Sequence, residues 1–181
     1  MATSAARQLV LLRHAKSAWP DVADHERPLA RRGHRDAPLA GRWLRAAGRV
    51  PDCVVCSTAR RARETWQLAA AELDACPAAS FDQRVYGAAA GELLDLARET
   101  APGARRLLIV GHDPAMQQLT LTLASVRTDD ADALGRVRDK FPTAAIAVLE
   151  FTGTWQQLGP ARARLINFVV PRDLRAGAAE G

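Results

Sequence analysis

The chain has 181 residues, of which 48% are hydrophobic, 25% charged and 5% aromatic. This length fits one domain with a sizeable core, so stability requires neither disulfides nor a structural metal. The formal charge is +5, but acidic residues are interspersed with the arginines along the whole sequence, which argues against a nucleic-acid partner.

The longest apolar runs fall far short of the ~20 residues that a membrane-spanning helix needs. The first eight residues contain no apolar run of the signal-peptide type. We therefore expect a cytoplasmic protein with no membrane partner.

Cys53 and Cys56 lie three positions apart in one predicted strand and face opposite sides of it, so we expect reduced core thiols and no disulfide or metal site.

Short apolar runs alternate with longer amphipathic segments, which is typical of an α/β fold with a mostly parallel sheet. Strands are predicted at residues 8–13, 53–57, 81–85, 106–110, 144–151 and 164–170, the last two as an antiparallel pair. Helices are predicted at residues 36–47, 58–73, 92–100 and 114–124, with Asp113 as the N-cap of the last and Pro114 as its first residue. Residues 128–140 are predicted to form a surface helix or loop.

The chain contains no internal repeat and no linker, so we predict one domain. Its predicted limits are residues 8–171, preceded by a disordered N-terminus at residues 1–7 and followed by a flexible tail at residues 172–181.

Three predicted strands are followed by residues that can bind a phosphate group. The first is followed by Arg13-His14, the second by the arginines at positions 60, 61 and 63, and the third by Gly111-His112. Ligands bind beyond the carboxyl ends of the strands in such sheets, so we expect these side chains to share one pocket. Arginine matches phosphate oxygens, helix N-termini add N–H donors, and a neutral imidazole can act as a nucleophile near pH 7.

Each feature alone also has an ordinary structural explanation. The Arg13-His14 pair could belong to a loop, the residues after Gly111 could only cap a helix, and the arginines could form a solvated helix face, as at least one of Arg60 and Arg63 is expected to do. No metal is implied, because acidic residues are not clustered at these strand ends.

The combination of motifs resembles the histidine phosphatase (phosphoglycerate mutase-like) superfamily. Residues 9–15 (LVLLRHA) resemble its opening strand and R-H-G motif, although Ala15 replaces the usual glycine. Residues 57–65 (STARRARET) resemble its S-x-x-x-R-A-x-x-T segment, and residues 110–112 (VGH) its later histidine. The resemblance spans residues 8–170 and implies a three-layer α/β/α sandwich with a mostly parallel sheet, and a phosphatase that uses no cofactor.

The resemblance implies that His14 is the phosphorylated nucleophile and that Arg13, Arg61 and His112 bind the phosphoryl group. The short chain and the D-H-E-R-P-L segment at residues 24–29 are most similar to the SixA-type phosphohistidine phosphatases. The expected partner is therefore a protein that carries phosphohistidine.

The sequence contains no clear counterpart of the acid that protonates the leaving oxygen in related mutases and phosphomonoesterases. Of Asp24, Glu26, Asp82 and Glu92, we favour Asp24, which matches an acid in the SixA-type loop; the alternative is an exposed loop carboxylate. A missing acid favours a phosphoramidate substrate, because an imidazole leaves more readily than an alkoxide. Two alternatives stay open: a phosphomonoesterase acting on a small phosphorylated metabolite, and a non-catalytic module that binds a phosphorylated ligand.

Overall fold

The computed structural model describes residues 6–125, 131–170 and 173. These residues form a six-stranded sheet of order β3-β2-β4-β1-β5-β6. Its strands are β1 (Arg7–Arg13), β2 (Cys53–Ser57), β3 (Ser80–Asp82), β4 (Arg106–Gly111), β5 (Ile146–Phe151) and β6 (Arg164–Val169). The helices are α1 (Arg31–Ala46), α2 (Arg60–Ala70), α3 (Ala90–Arg98), α4 (Ala115–Leu123) and α5 (Ala131–Asp139).

Helices cover both faces of the sheet, because successive side chains of a strand point to opposite sides. In β1, Leu9 and Leu11 pack in the core that also contains side chains of α3, α4 and α5. Val10 and Leu12 pack in a second core with side chains of α1 and α2. The fold is thus the predicted three-layer α/β/α sandwich.

The strand order brings the three predicted site segments together. Strand β4 pairs in parallel with β1 on one side and with β2 on the other, so the carboxyl ends of these three strands are neighbours. Strand β3 extends the parallel part of the sheet beyond β2. Strands β5 and β6 form the predicted antiparallel pair, with β5 also antiparallel to β1.

Helix α1 begins at Arg31, well before the predicted start at residue 36. Gly33 lies so close to the loop after β1 that a Cβ atom there would be 2.2 Å from the carbonyl oxygen of Lys16. The predicted start placed Pro38 in the first turn, where proline is tolerated, whereas Pro38 lies inside the observed helix. The prediction was wrong because packing against this loop extends the helix beyond the proline.

Two further boundaries differ near the site. Helix α2 begins two residues later than predicted, because the hydroxyl of Ser57 accepts a hydrogen bond from the backbone N–H of Ala59 and holds a turn there. The predicted strand at residues 81–85 is β3 followed by one 3₁₀ turn, in which the Asp82 carboxylate accepts from the backbone N–H of Arg84 at 2.8 Å.

The predicted cap of α4 is also wrong. Pro114 occupies the N-cap position, and the carboxylate of Asp113 instead accepts a hydrogen bond from the backbone N–H of Gln117 at 3.3 Å. The Asp113 side chain thus still pairs with an N–H of the first turn of α4, although it does not occupy the N-cap position.

The predicted disordered N-terminus and flexible tail lie almost entirely outside the described residues. Arg7, assigned to the N-terminal segment, is the first residue of β1. In the tail, the described Asp173 forms an ion pair with Arg136 at 2.9 Å. None of the helices in the described part of the chain is both long and apolar enough to cross a membrane.

Cys53 and Cys56 pack against opposite faces of the sheet, as their spacing predicts. Cys56 is buried in the core under α1 and α2, whereas Cys53 packs against the other core. Both are free thiols, as is Cys76.

Candidate active site

His14 lies directly beyond β1, and its backbone N–H donates to the carbonyl oxygen of Gly111 at the end of β4. The ring atom Nδ1 is 2.7 Å from the carbonyl oxygen of Ala15. A carbonyl only accepts, so Nδ1 carries the hydrogen and Nε2 keeps its lone pair. Burial lowers the pKa of His14 to about 3, so the ring is neutral at pH 7.

His112 follows β4, with its ring centroid 5.1 Å from that of His14. Its Nε2 is 2.8 Å from the hydroxyl oxygen of Ser57. The Ser57 oxygen accepts from the backbone N–H of Ala59, and its hydroxyl can either donate to Nε2 or accept from it, depending on the tautomer of His112. Burial lowers the pKa of His112 to about 4, so the ring is neutral at pH 7. When Ser57 donates to Nε2, the single ring hydrogen of His112 is on Nδ1.

Two buried nitrogens of this site have no hydrogen-bond partner among the described residues. They are Nδ1 of His112 and Nε of Arg13. Buried polar atoms are normally paired, and an unpaired nitrogen that carries a hydrogen can donate to a ligand with acceptor atoms. Phosphoryl oxygens have this chemistry.

The predicted arginines lie at the same edge of the sheet. Arg61 is buried in the first turn of α2 and donates from Nη1 and Nη2 to the backbone oxygen and Oδ2 of Asp24, at 2.7 and 3.1 Å. Arg13 donates from Nη1 to the carbonyl oxygen of Phe141 at 2.6 Å. The charges of both arginines contribute to the lowered pKa of His14. Arg60 instead forms a surface ion pair with its helix neighbour Glu64.

Asp24 lies beside Arg61, and its carboxylate is engaged as a hydrogen-bond acceptor. Its carboxylate accepts from the hydroxyl of Tyr86 at 2.8 Å and pairs with Arg27 and Arg61. The hydrogen bond from Tyr86, followed by that from Arg27, holds the pKa of Asp24 well below its ordinary value. The group is therefore ionised at neutral pH.

The other acids considered from the sequence are also engaged as acceptors. Glu26 lies 2.9 Å from Nδ1 of His25, and this contact lowers the pKa of Glu26. The ion pair with Arg84 lowers the pKa of Asp82. Glu92 accepts a backbone hydrogen bond at the start of α3.

Asp113 is a candidate acid that the sequence reasoning missed, because it was assigned to a helix cap. Its Oδ2 lies 3.7 Å from Nη1 of Arg13, and it directly follows His112. Burial raises its pKa above the ordinary value, which is the direction a proton donor requires.

Tyr86 and Thr65 were also missed as site residues. The ring of Tyr86 contacts His112 edge-on with centroids 5.7 Å apart. Thr65 joins two of the sequence motifs, because its hydroxyl accepts from the backbone N–H of Ala15 at 2.9 Å and donates to the backbone oxygen of Arg61. The last position of the S-x-x-x-R-A-x-x-T segment pointed to Thr65; no local signal pointed to Tyr86, which long-range packing brings to the site.

In the same described residues, no three or more His, Cys, Asp or Glu side chains form a group that could hold a metal ion. The site is thus defined by two neutral imidazoles, two guanidinium groups and the first turn of α2.

Comparison with known proteins places this arrangement in a family. The chain belongs to the histidine phosphatase superfamily: residues 9–104 match its branch 1. Uncharacterized protein Rv1276c of Mycobacterium tuberculosis (strain H37Rv) is 48% identical over 162 residues, which cover 89% of this chain and 100% of that protein.

Solved structures give a finer comparison. A protein from Nakamurella multipartitia, provisionally named phosphohistidine phosphatase SixA, superposes with a TM-score of 0.82 at 33% identity, over 93% of this chain and 98% of that chain. A protein from Agrobacterium tumefaciens with the same provisional name superposes with a TM-score of 0.75 at 28% identity, over 91% of this chain and 98% of that chain. The chain is thus a SixA-like member of the superfamily and a phosphatase, as the sequence motifs predict.

Proposed function

We propose that this phosphatase removes the phosphoryl group from phosphohistidine on a protein, through a phosphorylated His14. The observation that carries the proposal is the neutral, buried ring of His14, whose Nδ1 is held by the Ala15 carbonyl while Nε2 keeps its lone pair. Such a ring is a nucleophile at neutral pH without a base to activate it.

The first step forms a bond between Nε2 of His14 and phosphorus and breaks the bond from phosphorus to the substrate imidazole, whose nitrogen keeps the electron pair and takes a proton from water. Arg13, Arg61 and the Nδ1 hydrogen of His112 stabilise the negative charge on the equatorial oxygens. Water then attacks phosphorus, breaks the Nε2–phosphorus bond and releases inorganic phosphate. No step needs a metal ion or another cofactor.

The acids around the site support a phosphoramidate substrate. Asp24 is ionised and held by Arg61 and Tyr86, so it has no proton to give to an alkoxide. General acid catalysis contributes roughly 10²–10⁴-fold where an alkoxide leaves. A leaving imidazole is readily protonated and depends less on such a donor.

One observation favours a second candidate, a phosphomonoesterase that acts on a small metabolite. The raised pKa of Asp113 makes this carboxyl the remaining candidate proton donor. In that case Asp113→Asn lowers the turnover of phosphate esters and leaves the turnover of phosphoramidates unchanged.

The substrate is tested by comparing kcat/KM for a peptide that carries phosphohistidine with kcat/KM for sugar and nucleotide phosphates. The proposal predicts a clear preference for the phosphohistidine peptide. A clear preference for the esters would overturn the substrate assignment in favour of the second candidate. The non-catalytic alternative predicts no turnover of either class, and it is not supported by a chain that is a phosphatase by family.

A further inference from the structure

Tyr86 touches the surroundings of both Arg61 and His112. Its hydroxyl donates to Oδ2 of Asp24, the oxygen that also accepts from Arg61, and its ring contacts the ring of His112. We propose that Tyr86 is a positioning residue that holds Arg61 in place through Asp24 and His112 by direct ring contact. This role rests on the part of the proposed function that assigns phosphoryl binding to Arg61 and His112.

The backbone at Tyr86 is anchored to the strand that carries His112. The preceding residue, Val85, is buried in the core, and a Cβ atom at Gly111 would lie 3.1 Å from Cγ1 of Val85. The following residue, Gly87, has a φ of +77°, a conformation that residues with a side chain rarely adopt. The chain thus turns directly after Tyr86, whose side chain starts from a fixed point beside the end of β4.

The hydroxyl of Tyr86 acts on Arg61 through a single oxygen atom. Oδ2 of Asp24 accepts from the Tyr86 hydroxyl at 2.8 Å and from Nη2 of Arg61 at 3.1 Å. The other carboxylate oxygen pairs with Nη1 of Arg27 at 2.9 Å. The side chain of Asp24 is half exposed, whereas that of Arg61 is buried. The hydrogen bond from Tyr86 therefore helps to keep an exposed carboxylate in the orientation that pairs with the buried guanidinium group.

The ring of Tyr86 gives His112 a second contact besides its hydrogen bond with Ser57. The two rings meet edge-on, with centroids 5.7 Å apart and planes at 78°. Aromatic pairs of this geometry add stabilisation beyond the burial of their area. Tyr86 is itself packed edge-on against His25 with centroids 4.9 Å apart, and Nε2 of His25 lies 2.9 Å from the hydroxyl oxygen of Thr58. The Tyr86 ring is thus supported on a second side, and it restricts the tilt of the His112 ring.

The relative position of Arg61 and His112 matters for the reaction. Both are assigned as donors to one phosphoryl group, so their separation determines how well they stabilise the charge that develops on its equatorial oxygens. The guanidinium carbon of Arg61 lies 6.0 Å from the centre of the Tyr86 ring, so one side chain is close to both donors. An ordinary surface tyrosine directs its hydroxyl into water, whereas this hydroxyl ends on the carboxylate that pairs with Arg61.

The hydroxyl is tested by Tyr86→Phe, which keeps the ring. We expect kcat for p-nitrophenyl phosphate to fall about fivefold with KM within about twofold, since a hydrogen bond is worth a factor of about 2–12. In an Asp24→Ala background the same change should lower kcat by less than about twofold, because the hydroxyl then has no carboxylate to hold. Asp21→Ala, which removes an exposed acid from the same loop, is the matched background in which the fivefold loss should remain.

The ring is tested by Tyr86→Leu, which should lower kcat a further three- to tenfold, roughly the worth of an aromatic pair. Phe81→Leu removes the ring of an exposed residue on β3 and is the matched control, with kcat within about twofold of the wild-type value.

Inhibition separates positioning from a general structural role. Orthovanadate adopts the five-coordinate geometry of the transition state, whereas inorganic phosphate is tetrahedral. In both Tyr86 variants the inhibition constant of vanadate should rise by about the factor by which kcat falls, and that of phosphate should stay within about twofold. Tyr86→Phe changes one exposed hydroxyl, so the test does not depend on whether Tyr86→Leu folds.

The outcomes separate the role of Tyr86 from the proposed function. Equal losses of kcat from Tyr86→Phe in the wild-type and Asp24→Ala backgrounds would overturn the link through Asp24. Unchanged kcat in both Tyr86 variants, or equal increases in the two inhibition constants, would overturn the positioning role. If neither Arg61→Ala nor His112→Ala weakens inhibition by vanadate, the assignment of the phosphoryl ligands fails and the role of Tyr86 fails with it. If both weaken it and the Tyr86 variants do not, only the role of Tyr86 fails.

Discussion

The rings of His14 and His112 lie 5.1 Å apart, tilted by 53°, and each is held by a different hydrogen-bond partner in the protein. The Ala15 carbonyl fixes the hydrogen of His14 on Nδ1, whereas the Ser57 hydroxyl orients His112 through Nε2. With Ser57 as the donor to Nε2, one ring offers a lone pair and the other offers a hydrogen. This difference between two chemically identical side chains is the basis of the proposed mechanism.

The hydrogen bond between Ser57 and His112 can be tested by a substitution at Ser57, a residue that is not expected to bind the phosphoryl group. We expect Ser57→Ala to lower kcat about tenfold with little change in KM, because loss of a buried hydrogen bond costs about 1–3 kcal/mol and leaves His112 misoriented. NMR of the ring nitrogens should show that the His112 hydrogen is no longer confined to Nδ1. Thr58→Ala, which removes the adjacent hydroxyl, is the control, and p-nitrophenyl phosphate is the substrate. An unchanged tautomer in Ser57→Ala would contradict this assignment.

The role of Asp24 gives a second prediction. Because its carboxyl is already ionised, Asp24→Asn should lower kcat/KM less than about tenfold, and equally for p-nitrophenyl phosphate and for phosphohistidine. The backbone oxygen of Asp24 still holds Arg61 in this variant. Asp21→Asn, on the same loop, is the control. An ester-selective loss of 10²-fold or more would show that Asp24 is the proton donor after all.

Activity should persist in acid. The attacking ring must be neutral, and the pKa of His14 is lowered to about 3 and that of His112 to about 4. The acid limb of kcat/KM for p-nitrophenyl phosphate should therefore begin below about pH 5, and not near the ordinary histidine pKa of about 6.5. A limb centred near pH 6.5 would mean that the site does not keep its histidines neutral.

The same two groups should make the fold less stable in acid. The unfolded chain binds protons at these histidines below about pH 6.5, while the folded chain does not until pH 3–4. The free energy of unfolding should therefore fall as the pH drops from 6.5 towards 4, by at most about 1.4 kcal/mol per pH unit for each group. Urea unfolding at pH 7 and pH 5 should show a smaller loss in His14→Ala than in the wild-type protein; an equal loss would contradict burial of a neutral His14.

The contact between α1 and α2 supports the helix that carries Arg61. A Cβ at Gly41 would lie 2.0 Å from the carbonyl oxygen of Ala69, so Gly41→Ala should destabilise the protein by about 1–3 kcal/mol. At Gly135, inside α5, a Cβ meets no atom within 4 Å, and Gly135→Ala should stabilise it by about 0.5–1 kcal/mol. Urea denaturation measures the free energy of unfolding of both variants. If both substitutions changed it in the same direction, the described packing around Gly41 and Gly135 would be wrong.

The sequence predicted the layers and the meeting of three strand ends because both depend on local patterns. The unbroken apolar run of β1 fills two cores, because successive side chains of a strand point to opposite faces of the sheet. The motifs containing His14, Arg61 and His112 each follow a strand. What the sequence did not predict depends on contacts between distant segments. Tyr86 reaches Asp24 across 62 positions of the chain, and α1 extends to Arg31 because Gly33 packs on another loop.

The protonation states could not be predicted for the same physical reason. Asp24 looked like a free loop acid in the sequence, but Tyr86, Arg27 and Arg61 surround it in the fold and keep it ionised. Asp113 looked like a helix cap in the sequence, but its burial in the fold raises its pKa, against the opposing effect of the Arg13 charge. A carboxyl group takes its pKa from its neighbours in space, which motif spacing does not give.

The most direct test of the mechanism is to trap the phosphorylated enzyme. Protein quenched during turnover of ³²P-labelled phosphohistidine or p-nitrophenyl phosphate should carry phosphate that is stable in base and labile in acid, and peptide mapping should place it on His14. The His14→Ala variant should carry none and should lose activity. Labelled phosphate at another residue, or full turnover by His14→Ala, would contradict the account.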